Sequence, residues 1–217
     1  MNELVRALAA VAAELEGLGR PWALVGGLAV SARAEPRTTR DVDVAVSVAS
    51  DAEAEQAVTT LLKRGYVLEA AVEQIATGRL ATVRLLPPDH GDTSPIVDLL
   101  FASSGIEPEL TSHADRLTII AAVTVPVASV ADLIALKILS RDDDRRPQDA
   151  IDLRALLAVA SEREVALARE ALALVRARGF DRGRDLAALL EEALARFGRR
   201  PEGPSGGSSH PSGVRRP

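Results

Sequence analysis

The sequence predicts an α/β domain followed by a helical C-terminal part. Two observations lead to this prediction: short apolar runs alternate with helical patterns in the first half, and four helical patterns follow one another in the second. The 217 residues, of which 47% are hydrophobic and 26% charged, suffice to bury a core. We expect a core over 1–128, a helical part over 129–197 and a disordered Gly/Pro/Ser/Arg-rich tail over 198–217.

The elements of the core are predicted from hydrophobic spacing and from the residues that interrupt it. Residues 3–18 repeat Leu, Val and Ala at helical spacing and stop at Gly17 and Gly19. Residues 41–48 alternate polar and apolar side chains, which is the period of a strand. On the same grounds, further strands are expected at 22–25, 66–68, 80–86 and 96–101, and helices at 28–34 and 52–63.

The second half changes in character after about residue 105. One β-like apolar run is predicted over 117–127. Helical patterns then follow at 130–140, 147–159, 161–178 and 184–197. This succession of helices is the basis of the predicted helical C-terminal part.

Composition and charge exclude several classes of function. The chain has no cysteine, which rules out disulfides, thiolate zinc sites and cysteine nucleophiles. A net charge of −5 and 2% aromatic residues disfavour a protein that coats nucleic acid regardless of sequence. Residues 1–3 do not resemble a signal peptide, and Pro126 and Asp132 interrupt the longest apolar region. We therefore expect a cytoplasmic protein without a membrane partner.

Two aspartates in one short predicted strand point to chemistry. Asp41 and Asp43 stand two residues apart, so their side chains project from the same face about 7 Å apart. Carboxylates placed in this way repel, and a hard divalent cation such as Mg²⁺ resolves the repulsion. The alternative is an exposed polar face of an edge strand, although aspartate is depleted in strands.

Asp98 and a pair of glycines add to this pattern. Asp98 interrupts an apolar strand; beside the first two aspartates it would complete a three-carboxylate site for two cations, whereas alone it would pair with an arginine. Gly26 and Gly27 lie between a predicted strand and a predicted helix, where backbone N–H groups can approach a phosphate. Taken alone, a Gly-Gly pair is also compatible with a simple tight turn.

A lysine and two further aspartates form a second group. Lys137 lies in an apolar helical segment of a chain whose only other lysine is Lys63, so a compact ammonium is either required there or extends from a core helix to solvent. Asp149 and Asp152 share a helix face. A solvated helix start is the simpler interpretation of these two, more so for Asp149 than for Asp152.

These motifs together resemble a known superfamily. A Gly-Gly turn, a short helix, Asp-x-Asp on a strand and a later lone carboxylate resemble the DNA polymerase β-type nucleotidyltransferases. Leu133-x-x-x-Lys137 and Gln148-Asp149-x-x-Asp152-Leu153 are similar to segments of the AbiEii/MenT-type toxins, which usually have Lys where Gln148 stands. The resemblance spans about residues 20–157 and implies a mixed sheet flanked by helices, with Arg145 or Arg146 replacing the missing lysine.

The resemblance also implies the role of each residue. Asp41 and Asp43 would bind Mg²⁺, and Asp98 would complete the metal set or deprotonate the acceptor hydroxyl. Lys137 would contact the triphosphate and stabilise the departing pyrophosphate, and Asp152 would orient Lys137 or the acceptor. Gly26 and Gly27 would cradle the phosphates.

Residues just before the Asp-x-Asp motif extend the predicted nucleotide site. Thr39 stands two residues before Asp41 and either touches a phosphate or is an ordinary β-branched strand residue. Arg33, Arg37 and Arg40 either bind substrate phosphates, including those of an RNA end, or offset the aspartate charge.

The function implied by the resemblance is Mg²⁺-dependent transfer of NMP from an NTP to an RNA hydroxyl. The 3′ end of tRNA would be the acceptor, so that a toxin blocks translation and a separate antitoxin protein counteracts it. The first alternative is a nucleotidyltransferase that modifies a small molecule such as an antibiotic. The second is a degenerate, non-catalytic transferase that acts as a binding module.

Overall fold

The computed structural model describes residues 3–75, 77–91, 93–119, 123–142 and 147–198. These residues form helices α1 (Glu3–Leu18), α2 (Gly26–Arg33), α3 (Asp51–Lys63), α4 (Glu107–Ser112), α5 (Val130–Ser140), α6 (Pro147–Val159), α7 (Glu162–Ala177) and α8 (Leu186–Phe197). The strands are β1 (Trp22–Leu24), β2 (Val42–Val46), β3 (Val67–Glu73), β4 (Leu80–Leu86), β5 (Val97–Leu100), β6 (Asp115–Thr118) and β7 (Thr124–Val127).

A mixed seven-stranded sheet with the order β3-β4-β5-β2-β1-β7-β6 organises the molecule. The pairs β2–β5 and β1–β7 are parallel and the remaining pairs are antiparallel. The central strands β1, β2 and β5 are almost wholly apolar and buried, as strands covered on both faces must be. The predicted α/β class with a mixed sheet and a helical C-terminal part is thereby confirmed.

Two predictions about the elements between residues 105 and 127 were wrong. The single β run over 117–127 is a hairpin in which β6 and β7 pair antiparallel from Asp115↔Val127 to Thr118↔Thr124. Apolar residues in both arms made the run look continuous. Helix α4 was not predicted, because six residues are too few for a helical period. The carboxylate of Glu107 stabilises its start by accepting bonds from the backbone N–H groups of Ser103 and Ser104.

The helical part packs directly against the core. Helix α5 begins at a Ser129 cap and buries most of its side chains against α6, α7 and α8, and α2 contacts both α5 and α6. A predicted boundary between 128 and 129 remains a proposal about domain organisation. Gly198 ends α8, and the rest of the predicted tail lies outside the described residues.

Among the described residues, no helix combines the length and the apolar character that crossing a membrane requires.

Candidate active site

A row of three charged side chains crosses neighbouring strands. Strand β2 pairs parallel with β5 so that Asp43 lies beside Asp98, and β4 pairs antiparallel with β5 so that Arg84 lies on the other side of Asp98. Residues paired in register project from the same face of a sheet. The predicted adjacency of the Asp43 and Asp98 strands is therefore confirmed, while Asp41 lies one residue before β2 rather than within it.

Arg84 binds both carboxylate oxygens of Asp98. Its Nε donates to Oδ1 at 2.9 Å and its Nη2 to Oδ2 at 2.8 Å. Asp98 is 8% exposed, so this bidentate pair is well protected from water. The arginine partner that the sequence left open as an alternative for Asp98 is present.

The acidic side of the site concentrates negative charge around Asp41. Burial, followed by the charge of Asp98, raises the pKa of Asp41 above its usual value, although Arg84 and Arg40 act in the opposite direction. Across the described ranges, no three histidine, cysteine or acidic side chains come together as a metal-binding group. Asp98 as a third metal ligand therefore stays a prediction, and so does metal binding by Asp41 and Asp43.

The two glycines form the start of α2 rather than a separate turn before it. Gly26 has φ +63°, and a Cβ atom there would lie 1.9 Å from Oδ2 of Asp43. A Cβ atom on Gly27 would lie 2.6 Å from Nη2 of Arg37 and 2.8 Å from Oγ1 of Thr39. Glycine is thus required at both positions, because the Asp43, Arg37 and Thr39 side chains occupy the space beside the helix N-terminus.

Lys137 lies on α5 between two carboxylates of α6. Its Nζ is 2.8 Å from Oδ1 of Asp149 and 2.8 Å from Oδ2 of Asp152. Ser140 Oγ donates to the other oxygen of Asp149 at 3.0 Å. Asp149 is buried, so the solvated helix start that the sequence favoured for it was wrong; the shared face of the two aspartates points at Lys137.

Arg37 connects the loop before β2 to the same cluster. Its Nη2 donates to Oδ2 of Asp152 at 2.9 Å, and its Nε lies 2.6 Å from Oδ1. Burial acts to raise the pKa of Asp152, but hydrogen bonds from Arg37 and Lys137 outweigh it and hold the pKa below the usual value. Gln148, at the position of the expected lysine, donates to Oδ1 of Asp152 at 3.3 Å. Arg145 and Arg146, the proposed replacements for that lysine, lie outside the described residues.

The acidic row, the glycines and the lysine cluster border one cavity of about 870 Å³. Of the predicted site residues, the cavity is lined by Gly26, Gly27, Arg37, Thr39, Asp43, Asp98 and Lys137. Asp152 has no exposed side-chain surface and supports Lys137 and Arg37 from behind, and Asp41 lies beside the acidic row. Arg33 instead donates to the carbonyls of Val127 and Ala128, so it ties α2 to β7.

A second cavity of about 670 Å³ adjoins the first, and both are lined by Thr82, Ser103 and Arg182. One wall carries the exposed apolar residues Val72 and Ile75 of the β3–β4 hairpin. Arg182 has φ +55°, a backbone conformation that is uncommon for a residue other than glycine. Such outliers concentrate at functional sites.

Sequence reasoning missed Arg84 and Arg182, and it misjudged Asp149. Arg84 carried a usable signal, since it is the single charge in the apolar strand Leu80–Leu86, as Asp98 is in its own strand. Arg182 stands in a Gly-rich loop between helices and shows no such pattern.

Solved structures show the same fold. A nucleotidyltransferase-like antigenic protein from Paracoccidioides brasiliensis aligns with a TM-score of 0.50 at 21% identity, over 87% of this chain and 92% of that one. A lincomycin-bound lincosamide antibiotic adenylyltransferase aligns with a TM-score of 0.46 at 15% identity, over 73% of this chain and 96% of that one. JHP933 from Helicobacter pylori aligns with a TM-score of 0.41 at 16% identity, over 89% of each chain. No curated protein matches the chain.

The family comparison covers nearly the whole chain. Residues 6–205 match the family described as nucleotidyl transferase AbiEii toxin, type IV TA system. This match includes every residue that borders the two cavities. The chain therefore belongs to the AbiEii family of nucleotidyltransferase toxins and is a nucleotidyltransferase.

Proposed function

We propose that this protein transfers NMP from an NTP to a hydroxyl group of RNA, with Mg²⁺, and that the acceptor is the 3′ end of tRNA. The observation that carries the proposal is the cavity in which Asp43 and Asp98 face Lys137 and the glycine start of α2. Carboxylates on one wall and an ammonium with helix N–H groups on the other are what a metal-bound triphosphate needs.

The donor set fits a hard cation. Asp41 and Asp43 supply carboxylate oxygens, and the crowding that raises the pKa of Asp41 is relieved by a positive charge. Mg²⁺ is commonly held by one or two carboxylates together with substrate phosphates. When bound, it would neutralise phosphate charge and polarise the phosphorus that is attacked.

The chain's own residues position the nucleotide. The N–H groups of Gly26 and Gly27 face the cavity at the positive end of α2, where phosphate oxygens are favoured. Lys137 supplies positive charge to the pyrophosphate as it departs. Asp149 and Asp152 hold the Lys137 ammonium from two sides, so its position is fixed before substrate binds. Thr39 and Arg37 close the same wall.

The second cavity supports a large acceptor. It opens onto the first through Thr82, Ser103 and Arg182, so an acceptor lying there would present a hydroxyl group to the carboxylate row. Its apolar wall suits the face of a nucleobase, and Arg182 suits a phosphate. Membership of a toxin family supports tRNA as the acceptor, a block of translation as the outcome and an antitoxin as a partner in the cytoplasm.

A transfer assay tests this function. The protein is incubated with Mg²⁺ and each α-³²P-labelled NTP, either with total tRNA or with aminoglycosides and lincosamides. We expect labelled tRNA with one preferred NTP and no labelled antibiotic, and a loss of at least about 100-fold for Asp43→Asn. Labelled antibiotic without labelled tRNA would support the small-molecule alternative, and no label in any arm would support the non-catalytic one.

A growth assay tests the toxin role separately. Induced expression of the protein should arrest growth, and Asp43→Asn should not, although both accumulate to the same level. Growth that continues with an active protein would contradict the toxin role while leaving the transfer chemistry intact.

A further inference from the structure

The Asp98 carboxylate is already engaged by a guanidinium. Both oxygens accept from Arg84, at 2.9 and 2.8 Å, in a pair fixed by the register of β4 against β5. A carboxylate whose two oxygens bind one guanidinium is in its most favourable ion-pair geometry. For Asp98 to bind a metal as well, it would have to give up at least part of this pair.

The other neighbours of Asp98 pull in the opposite direction. Asp43 lies beside it on β2 and Asp41 raises the local negative charge, so a cation bound to these two would attract Asp98. Arg84 is a suitable partner for phosphate, because a guanidinium binds phosphate through the same two hydrogen bonds that it makes to carboxylate. Its side chain is 42% exposed, which leaves it room to move.

We propose that Arg84 is a positioning residue that keeps Asp98 away from the metal until a nucleotide binds. Without nucleotide, the metal is held by Asp41 and Asp43. With nucleotide, the triphosphate attracts Arg84 and the metal attracts Asp98, so that two ion pairs exchange partners without a buried charge being left alone. The inference rests on the proposed function, since it concerns the same site and the same metal.

The proposal separates two properties of Asp98 that are usually joined. Its charge is compensated in the nucleotide-free protein and becomes available to a metal in the nucleotide complex. Removing Asp98 and Arg84 together keeps the net charge of the site unchanged, so a double variant reports coordination rather than long-range attraction.

Binding of Mn²⁺, followed by electron paramagnetic resonance, tests the proposal with and without a non-hydrolysable NTP analogue. Arg84→Gln with Asp98→Asn should match the wild type within about twofold without the analogue, and bind Mn²⁺ about tenfold more weakly with it. Arg84→Gln alone should bind Mn²⁺ more tightly without the analogue, because it releases Asp98. Arg79→Gln is the matched control, since Arg79 pairs with Asp51, which borders neither cavity.

Two outcomes would overturn the proposal. Weaker Mn²⁺ binding by the double variant in both conditions would show that Asp98 is a ligand from the start, and equal binding in both would show that it is never one. If the first double variant does not fold, Arg84→Met with Asp98→Leu fills the same space with apolar groups. The transfer assay on the wild type is read separately: an inactive wild type refutes the function, whereas an active one with the wrong Mn²⁺ pattern refutes only this inference.

Discussion

The two walls of the main cavity handle charge in opposite ways. On the helical wall, Lys137 lies between Asp149 and Asp152, and Arg37 adds a second cation, so each charge has a partner at hydrogen-bond distance. On the sheet wall, three aspartates are concentrated around one arginine, Arg84. The first wall is electrostatically balanced by its own side chains, and the second carries an excess of negative charge.

The pKa values express the same contrast. The pKa of Asp152 on the helical wall is lowered despite its burial, because Arg37 and Lys137 stabilise its charged form. The pKa of Asp41 beside the sheet wall is raised by burial and by its acidic neighbour Asp98. A site that is balanced on one side and acidic on the other is prepared to receive a cation at the acidic side and to hold a polyphosphate between the two.

Breaking the balanced wall should have the largest effect. Lys137→Gln leaves Asp149 and Asp152 buried with fewer partners, and we expect the free energy of unfolding to fall by about 3 kcal/mol. Chemical denaturation measures this loss. Lys63→Gln is the control, because Lys63 is the other lysine, is exposed at the end of α3 and should change stability by less than about 0.5 kcal/mol. Equal losses in the two variants would contradict the compensated cluster.

Disturbing the acidic wall should impair transfer more than stability. The Cβ of Gly26→Ala would overlap the Asp43 carboxylate, and we expect transfer to fall by about 100-fold as that carboxylate is displaced. Gly19→Ala is matched in backbone, with φ +64° against +63°, but has no atom within 4 Å of its Cβ. Both variants should lose about 1 kcal/mol of stability from backbone strain. Comparable transfer by the two variants would show that the close approach to Asp43 is unimportant.

The lowered pKa of Asp152 gives the balanced wall a specific pH dependence. The carboxylate takes up a proton more readily in the unfolded chain than in the folded one. Its stabilisation is therefore complete above the ordinary aspartate pKa of 3.8 and is lost as the pH falls through the lower folded value. We expect Asp152→Asn to cost about 2 kcal/mol at neutral pH and progressively less below about pH 4. Urea unfolding across this range measures the difference, and a constant cost down to low pH would contradict the pairing.

The acidic wall was largely predictable from the sequence, and the balanced wall was not. Asp43 and Asp98 each interrupt an alternating or apolar strand, and two buried strands of this kind tend to be neighbours in a sheet. The pairing of Asp98 with Arg84 depends on strand order, which local spacing does not contain. The sequence therefore indicated which groups carry chemistry and left their partners open.

Long-range packing explains what was missed on the helical wall. Asp149 looks like an ordinary acidic residue in the first turn of α6, and only the packing of α5 against α6 buries it against Lys137. Arg37 was expected at a phosphate, but its partner Asp152 stands 115 residues away in the chain. Contacts of this kind follow from the tertiary fold and have no local signature.

The second cavity sharpens the comparison through a smaller effect on the acceptor. Val72 is 56% exposed on its wall, so Val72→Glu and Val72→Lys place opposite charges there without disturbing the core. For an RNA acceptor we expect the KM for tRNA to rise about threefold with Glu and to fall about threefold with Lys, while NTP binding is unchanged. The same pair of substitutions at Val67, which is exposed on the same strand and borders neither cavity, should leave the KM unchanged. A cationic acceptor such as an aminoglycoside would show the reverse order, because the charge that repels a phosphate attracts an ammonium.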